Sequence, residues 1–346
     1  MSLPPSGEIP QGAIRFNTDS QRLEFYAQGE WWVMSTDTPN LGNVGGPLTV
    51  APNASDATPG ARGLFTGGYA SGASSPKVTN KINYVNIAST GNAIEFGTLL
   101  SGANQDIVPC GASRTRGVFR NGSSASMTFV TFASTGNSET FGNSGLTANR
   151  ANGLSNETRG IHGGSGNSTR NQLEYITIAS TGNAVDFGNL ATGAHSAGTG
   201  ASATRGIFAG CALHPTNNGN AIEFITIASL GDAQDFGDLQ REGNSYQSNS
   251  ASNSTRMFVM DVNVIEFIQI QTLGNATDFG QTSSSVQSTG GGCASPTRAV
   301  FAGGADPAVN IEYIQISTQG NAVDFGDLTY IENRHGCGMS NAHGGL

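Results

Sequence analysis

One phrase recurs along this chain at near-constant intervals, most legibly as NQLEYITIASTGNAVDFGNL over residues 171–190. Its central glycine falls at Gly91, Gly136, Gly182, Gly231, Gly274 and Gly320, with gaps of 45, 46, 49, 43 and 46 residues. A phenylalanine stands five residues beyond each one: Phe96, Phe141, Phe187, Phe236, Phe279 and Phe325. Self-similarity at such a period marks an array of supersecondary units, none of which buries its apolar face without its neighbours.

Each period holds four short strands. A small-residue segment such as CGASRT (Cys110–Thr115) leads to a recurring arginine, found at Arg62, Arg116, Arg159, Arg205, Arg256 and Arg298. An apolar strand follows (RGIFAG), then a variable loop, a strand of the LEYITI kind, an STGN turn and AVDFGNL. The glycine of Thr-Gly-Asn reads as the positive-φ residue of a short hairpin loop. In LEYITI, Leu173, Tyr175 and Thr177 share one face while Glu174, Ile176 and Ile178 share the other. Both faces carry large apolar groups, so the sheet is expected to be covered on both sides. Antiparallel four-stranded sheets repeating at this length are the blades of a propeller. The expected fold is all-β: a six-bladed propeller over residues 62–346, with a small N-terminal β meander before it.

Ring closure has two candidates. The segment RHGCGMSNAHGGL (Arg334–Leu346) matches the first strand of a repeat, Cys337 preceding His343 by six positions as Cys110 precedes Arg116. It is expected to complete the first blade beside Arg62 and so remove an open edge. Leu48–Arg62 has nearly the same spacing and is the rival.

The recurring arginines are expected to be structural, each holding a carboxylate between strands or blades, because the planar guanidinium fork binds carboxylates bidentately. Glu174, Glu223, Glu266 and Glu312 are offered by the third strand, and Glu95, Asp186, Asp235, Asp278 and Asp324 by the fourth. The functional alternative is a ring of arginines binding an anion in the channel.

Composition removes several function classes. The net charge is −9 with only two lysines, Lys77 and Lys81, which is no footprint for nucleic acid. No apolar run reaches membrane-spanning length. The opening MSLPPSGEIP has no charged region or apolar core, so no secretory signal is expected. The four cysteines are expected to be buried, inert thiols, with Cys110, Cys293 and Cys337 in similar places ahead of a repeat core and Cys211 in a Gly-Gly slot. No metal spacing joins the five histidines, and His162 stands where other repeats have phenylalanine. GxSxG and phosphate-loop motifs are missing. No cofactor, metal or catalytic residue is therefore expected, and the protein reads as a non-enzyme. Variable loops are the place for a binding site. The candidates are Asn80, Asn167, Asn171, His214, Asn217, Asn218 and Asp306, polar groups of the kind that hydrogen-bond a glycan.

Residues 1–36 form a separate module and 37–61 a Pro/Gly/Asn-rich linker. Three apolar runs within residues 12–35 predict a three-stranded meander too small to bury a core alone. Phe16, Phe25, Tyr26, Trp31 and Trp32 are accordingly expected at an assembly interface, with the propeller, another copy or another protein.

Two resemblances follow from these residues. The run G-A-I-R-F-N-T-D-S with L-E-F-Y and G-E-W-W is similar to a short module near the ends of tailed-bacteriophage virion proteins, especially fibre and tail components. The repeats resemble kelch repeats, closest of all those of kelch-like proteins encoded by marine and cyanobacterial tailed phages. Phe of the DFG element here takes the usual kelch tryptophan position. The resemblance implies a virion structural protein of a fibre, neck or tail appendage. Its N-terminal module would dock on other virion proteins and its propeller would bind a host-surface glycan, with a homo-oligomer, such as a trimer, as a further expectation. A decoration protein without a receptor and a polysaccharide-acting propeller enzyme are the alternatives.

Overall fold

In a computed structural model of the protein, every copy of the phrase supplies the outer half of an antiparallel sheet. The structure describes residues 10, 12–17, 22–27, 29–33, 62–69, 79–100, 107–122, 124–147, 151–164, 171–193, 197–211, 219–240, 249–286, 291–303, 309–330 and 334–346. Two units divide the chain, residues 1–58 and 59–346.

The larger unit is a six-bladed β-propeller of four-stranded antiparallel blades, as the repeat predicts. Blade 3 is representative: Asn152–Ser155 lies innermost, followed by Arg159–Gly163, Gln172–Thr177 and Val185–Asn189. In blade 5 one 14-residue strand, Arg256–Gln269, supplies both middle positions, because MDVNV leaves no loop to separate them. Blade 1 takes its innermost strand from Arg334–Ser340, which pairs with Arg62–Tyr69 in a register that sets Met339 opposite Leu64 and Cys337 opposite Thr66. The rival segment, residues 48–60, lies outside the described residues.

A bulge explains the recurring phenylalanine. Leu173 pairs with Gly188 and Glu174 with Asp186, so Phe187 has no partner across the ladder. A residue left unpaired by a bulge re-aims both its side chain and its backbone. The Phe187 ring is buried and meets Tyr175 edge-on at 6.4 Å and 74°. Its carbonyl, unused in its own sheet, accepts the Gly231 N–H of blade 4 at 3.0 Å. All six blades repeat this, and across the closure Gly91 N–H donates to Phe325 O at 2.8 Å. The Thr-Gly-Asn element is therefore not the tight hairpin expected. Seven residues, 178–184, separate Gln172–Thr177 from Val185–Asn189 and run beside the outer strand of the preceding blade. There Asn183 Oδ1 accepts the Asn143 N–H at 3.0 Å.

The apolar core lies between blades. Six clusters fill the six seams, as where Leu173 and Phe187 of blade 3 meet Phe208 and Ile225 of blade 4. At the axis the inner strands nearly touch. A Cβ on Gly153 would lie 1.9 Å from Pro109 O, and one on Gly292 would lie 2.0 Å from Ser250 O. Small residues are what allow six strands to converge there.

The smaller unit contains a three-stranded sheet of Ile14–Asn17, Arg22–Ala27 and Glu30–Val33. Tyr26 is buried and packs on Trp31 at 5.3 Å, and Arg15 lies over Trp31 at 4.1 Å while pairing with Glu24 at 2.7 Å. Ile14 and Phe16 are 63% and 58% exposed.

Candidate functional site

Among the described residues, Arg116, Arg159, Arg205, Arg256 and Arg298 do not take carboxylates as their partners. Each lays its guanidinium over the aromatic ring of its own third strand, as Arg159 over Tyr175 at 4.4 Å and Arg205 over Phe224 at 4.6 Å. Its Nη1 then donates to a carbonyl of the next blade: Arg159 to Ile227 O at 2.8 Å, Arg205 to Ile270 O at 2.9 Å, Arg256 to Ile316 O at 2.8 Å. Arg116 reaches Ile178 O and Ala179 O, and Arg62 reaches Phe132 O. Arg298 closes the circle on Ala88 O at 2.9 Å. Strand alternation is the reason. Arg159 pairs opposite Thr177 and so shares a face with Tyr175, leaving Glu174 on the opposite face. The six arginines are clamps between blades, and none of these bonds serves an anion in the channel.

The third-strand carboxylates work in the other direction, capping the turn that ends the preceding blade. Glu223 accepts the N–H groups of Ala191 and Thr192 at 2.7 and 2.8 Å, and Glu174 accepts Gly145 N–H at 3.0 Å. Asn83 does the same for Thr329 at 2.8 Å. Every blade thus reaches forward with an arginine, and blades 1 and 3–6 reach back with an acidic or amide side chain. Replacing Arg205 by Ala strands the Ile270 carbonyl and removes the stacked cation. We expect a loss of about 2–3 kcal/mol in chemical denaturation, with Arg205→Lys recovering about half.

One seam is polar. His162 takes the place of the phenylalanine that Phe119, Phe208 and Phe301 supply elsewhere, and it faces blade 2 with no exposed surface. Arg120, also fully buried, donates to Leu146 O. Glu174 accepts the Ser144 hydroxyl at 2.6 Å and lies 3.6 Å from His162 Nε2, which is itself 3.3 Å from Ser144 Oγ. Burial, helped by the Arg120 charge, pushes His162 down to about 3, so the ring is neutral. Burial lowers Arg120 as well, opposed by Cys110 and Glu174. The set contains a serine, a histidine and a carboxylate, but not in the order of a nucleophilic relay. Both oxygens sit at Nε2, and Nδ1 has no hydrogen-bond partner. The sequence marks His162 by substitution. Arg120 was missed, although its place is held by Thr66, Ala209 and Ala302 in other blades.

The channel along the axis holds a cavity of about 120 Å³ edged by the inner strands. At one mouth those strands end, in ring order, on Ser340, Ala112, Ser155, Ala201, Ser252 and Ala294. The next residues are Asn341, Ser113, Asn156, Ser202, Asn253 and Ser295. Odd blades therefore read Ser-Asn and even blades Ala-Ser. The difference is functional for the ring. Ser155 Oγ bonds both the N–H and the carbonyl of Ala112 at 2.9 Å, Ser252 Oγ takes the Ala201 N–H at 3.0 Å, and Ser340 Oγ donates to Ala294 O at 2.6 Å. In the forward direction Asn156 Nδ2 donates to Ala203 O and Asn253 Nδ2 to Pro296 O, each at 3.0 Å.

Residues 341–346 cross this mouth. His343 Nε2 lies 2.8 Å from Ala112 O and 3.2 Å from Ser155 Oγ, while Nδ1 accepts Gly345 N–H at 3.1 Å. Gly344 N–H donates to Ser252 O at 2.8 Å. A Cβ would fall 2.0 Å from Asn253 O at Gly344 and 1.8 Å from Ser155 O at Gly345. Only glycine passes here.

The loop candidates fare differently. Asn80 and Asn171 act through their backbone, their carbonyls accepting Leu99 and Leu190 N–H at 2.7 Å to end the outer strand. Asn167, His214, Asn217, Asn218 and Asp306 lie outside the described residues. Of the assembly set, Phe16 is displayed, Tyr26 is buried and Trp31 is half-buried. Phe25 and Trp32 are placed by register alone, opposite each other. Cys110, Cys293 and Cys337 are buried, with burial pushing the Cys110 thiol up to about 12 and raising Cys293 too. They do not occupy one equivalent place. Cys293 stands one residue before its strand's last residue, Cys110 two beside a bulge, and Cys337 three. Among the described residues no three His, Cys, Asp or Glu side chains gather as a metal site would require.

Fold and mouth together define a closed β-propeller whose hub is stoppered by its own chain. No protein-family model matches the sequence, and no curated protein matches it.

Proposed function

We propose that the protein is a kelch-like structural component of a tailed-phage virion. On this reading the N-terminal sheet attaches it to other virion proteins, and the propeller is carried outward to meet a glycan of the host surface. The supporting observation is the small sheet itself. It carries the IRFN, LEFY and EWW residues of the phage module and leaves Ile14 and Phe16 exposed in a unit too small to bury a core alone. Few charged residues and blades joined to one another by backbone bonds suit a durable, exposed scaffold. No catalytic role is assigned.

The test is to locate the protein on intact particles with antibodies to the propeller, and to repeat this with Phe16→Asp. Labelling of an appendage, lost in the variant while the purified protein still melts normally, is the expected result. Particles free of the protein overturn the reading. Labelling over the whole head, without adsorption to host cells, makes it a decoration protein.

A further inference from the structure

We propose that residues 341–346 form an acid-released stopper of the channel mouth, with His343 as its latch. The latch is defined by hydrogen-bond roles. Ala112 O can only accept, so the proton of the neutral ring sits on Nε2; Gly345 N–H can only donate, so Nδ1 must stay bare. Both nitrogens are used, and only by the neutral form. A second proton would go to Nδ1 and face the Gly345 N–H, removing the bond that folds Gly344 and Gly345 across the mouth.

The surroundings offer that proton no compensation. Among the described residues, the charged side chains carried just past the strand ends at this mouth are Arg114 and Glu157, and they pair with each other at 3.4 Å. The matching positions of blades 4, 5 and 6 are Ala203, Ser254 and Pro296. Burial holds the His343 ring down to about 4, opposed by its bond to Ala112 and assisted by the Arg114 charge. The sign follows directly. A histidine depressed in the closed form is neutral in both forms above its ordinary value, so closure is at full strength there. As pH falls below about 6.5 the open form takes up the proton first, and closure weakens until the closed form also titrates near 4. Release would uncover the carbonyl of Ser252, which now accepts from Gly344, and leave that of Ala112 with its bond from Ser155 alone. The uncovered surface is one of acceptors.

Hydrogen exchange of the Gly344 and Gly345 amides, divided by their intrinsic rates, reads the opening at pH 7.5 and pH 5. Linkage between a closed value of about 4 and an open value of about 6.5 gives an expected loss of protection of about 30-fold. The Ile176 amide, in the third strand of blade 3, keeps its protection. His343→Gln offers a donor and an acceptor without titrating, so its protection at Gly344 should not change with pH. Unchanged protection in the wild type overturns the stopper, as does a pH response retained by His343→Gln. Loss at Ile176 in step with Gly344 overturns it too, since the event is then global unfolding.

Discussion

Removing residues 334–346 should leave a chain that does not form the ring. The deletion takes away a strand with six register partners on Arg62–Tyr69, together with the buried side chains of Cys337 and Met339. Met339 packs into the seam between blades 1 and 2, and truncating a buried methionine to alanine costs about 2–5 kcal/mol. Adding the lost ladder and the exposed edge of Arg62–Tyr69 brings the cost into the range of a whole domain's stability, about 5–15 kcal/mol. The expected outcome is insoluble protein, or soluble protein without a cooperative melt by circular dichroism. A truncated protein that melts at the full-length temperature would show that blade 1 has another inner strand.

Gly142→Ala should be clearly destabilising, and Gly182→Ala almost silent. The two glycines touch. A Cβ on Gly142 would stand 2.0 Å from the Gly182 carbonyl oxygen, which is backbone held by blade 3, whereas a Cβ on Gly182 meets nothing within 4 Å. Every seam repeats the arrangement, as with Gly97 against Gly136 O at 2.1 Å and Gly326 against Gly91 O at 2.5 Å. Overpacking against immovable backbone costs about 3 kcal/mol or more, while an exposed change with room stays within about 0.5–1 kcal/mol. Equal denaturation midpoints for the two variants would mean that the blades do not approach this closely. The glycine after the recurring phenylalanine is the constrained one.

Much of this architecture is legible in the residues. The period counts the blades, the double-sided apolar pattern of LEYITI demands covered sheets, and the RHGCGMS segment announces its own role as a first strand. What failed was partner assignment. Arg159 and Glu174 look like a pair by charge, but a strand's two-residue alternation sends them to opposite neighbours. Phe187 reads as a core residue, yet nothing in DFG says that a bulge frees its carbonyl for the next blade. His162 was visible because it breaks a pattern. Arg120 was not, since a polar residue in a variable position carries no mark until the structure shows it fully buried. The stopper needed the ring first: His343 and two glycines mean little until five other strand ends surround them.

The alternation of Ser-Asn with Ala-Ser around the mouth limits how such a ring can change size. A serine that bonds backward needs an alanine neighbour behind it, and an asparagine that bonds forward needs an Ala-Ser turn ahead. Insert or delete one blade, and two like ends must sit side by side, with either two serines competing for one space or two alanines leaving it empty. Growth or loss by pairs keeps the alternation. The hub therefore counts in twos, and rings of four or eight blades are its natural neighbours while rings of five or seven are not.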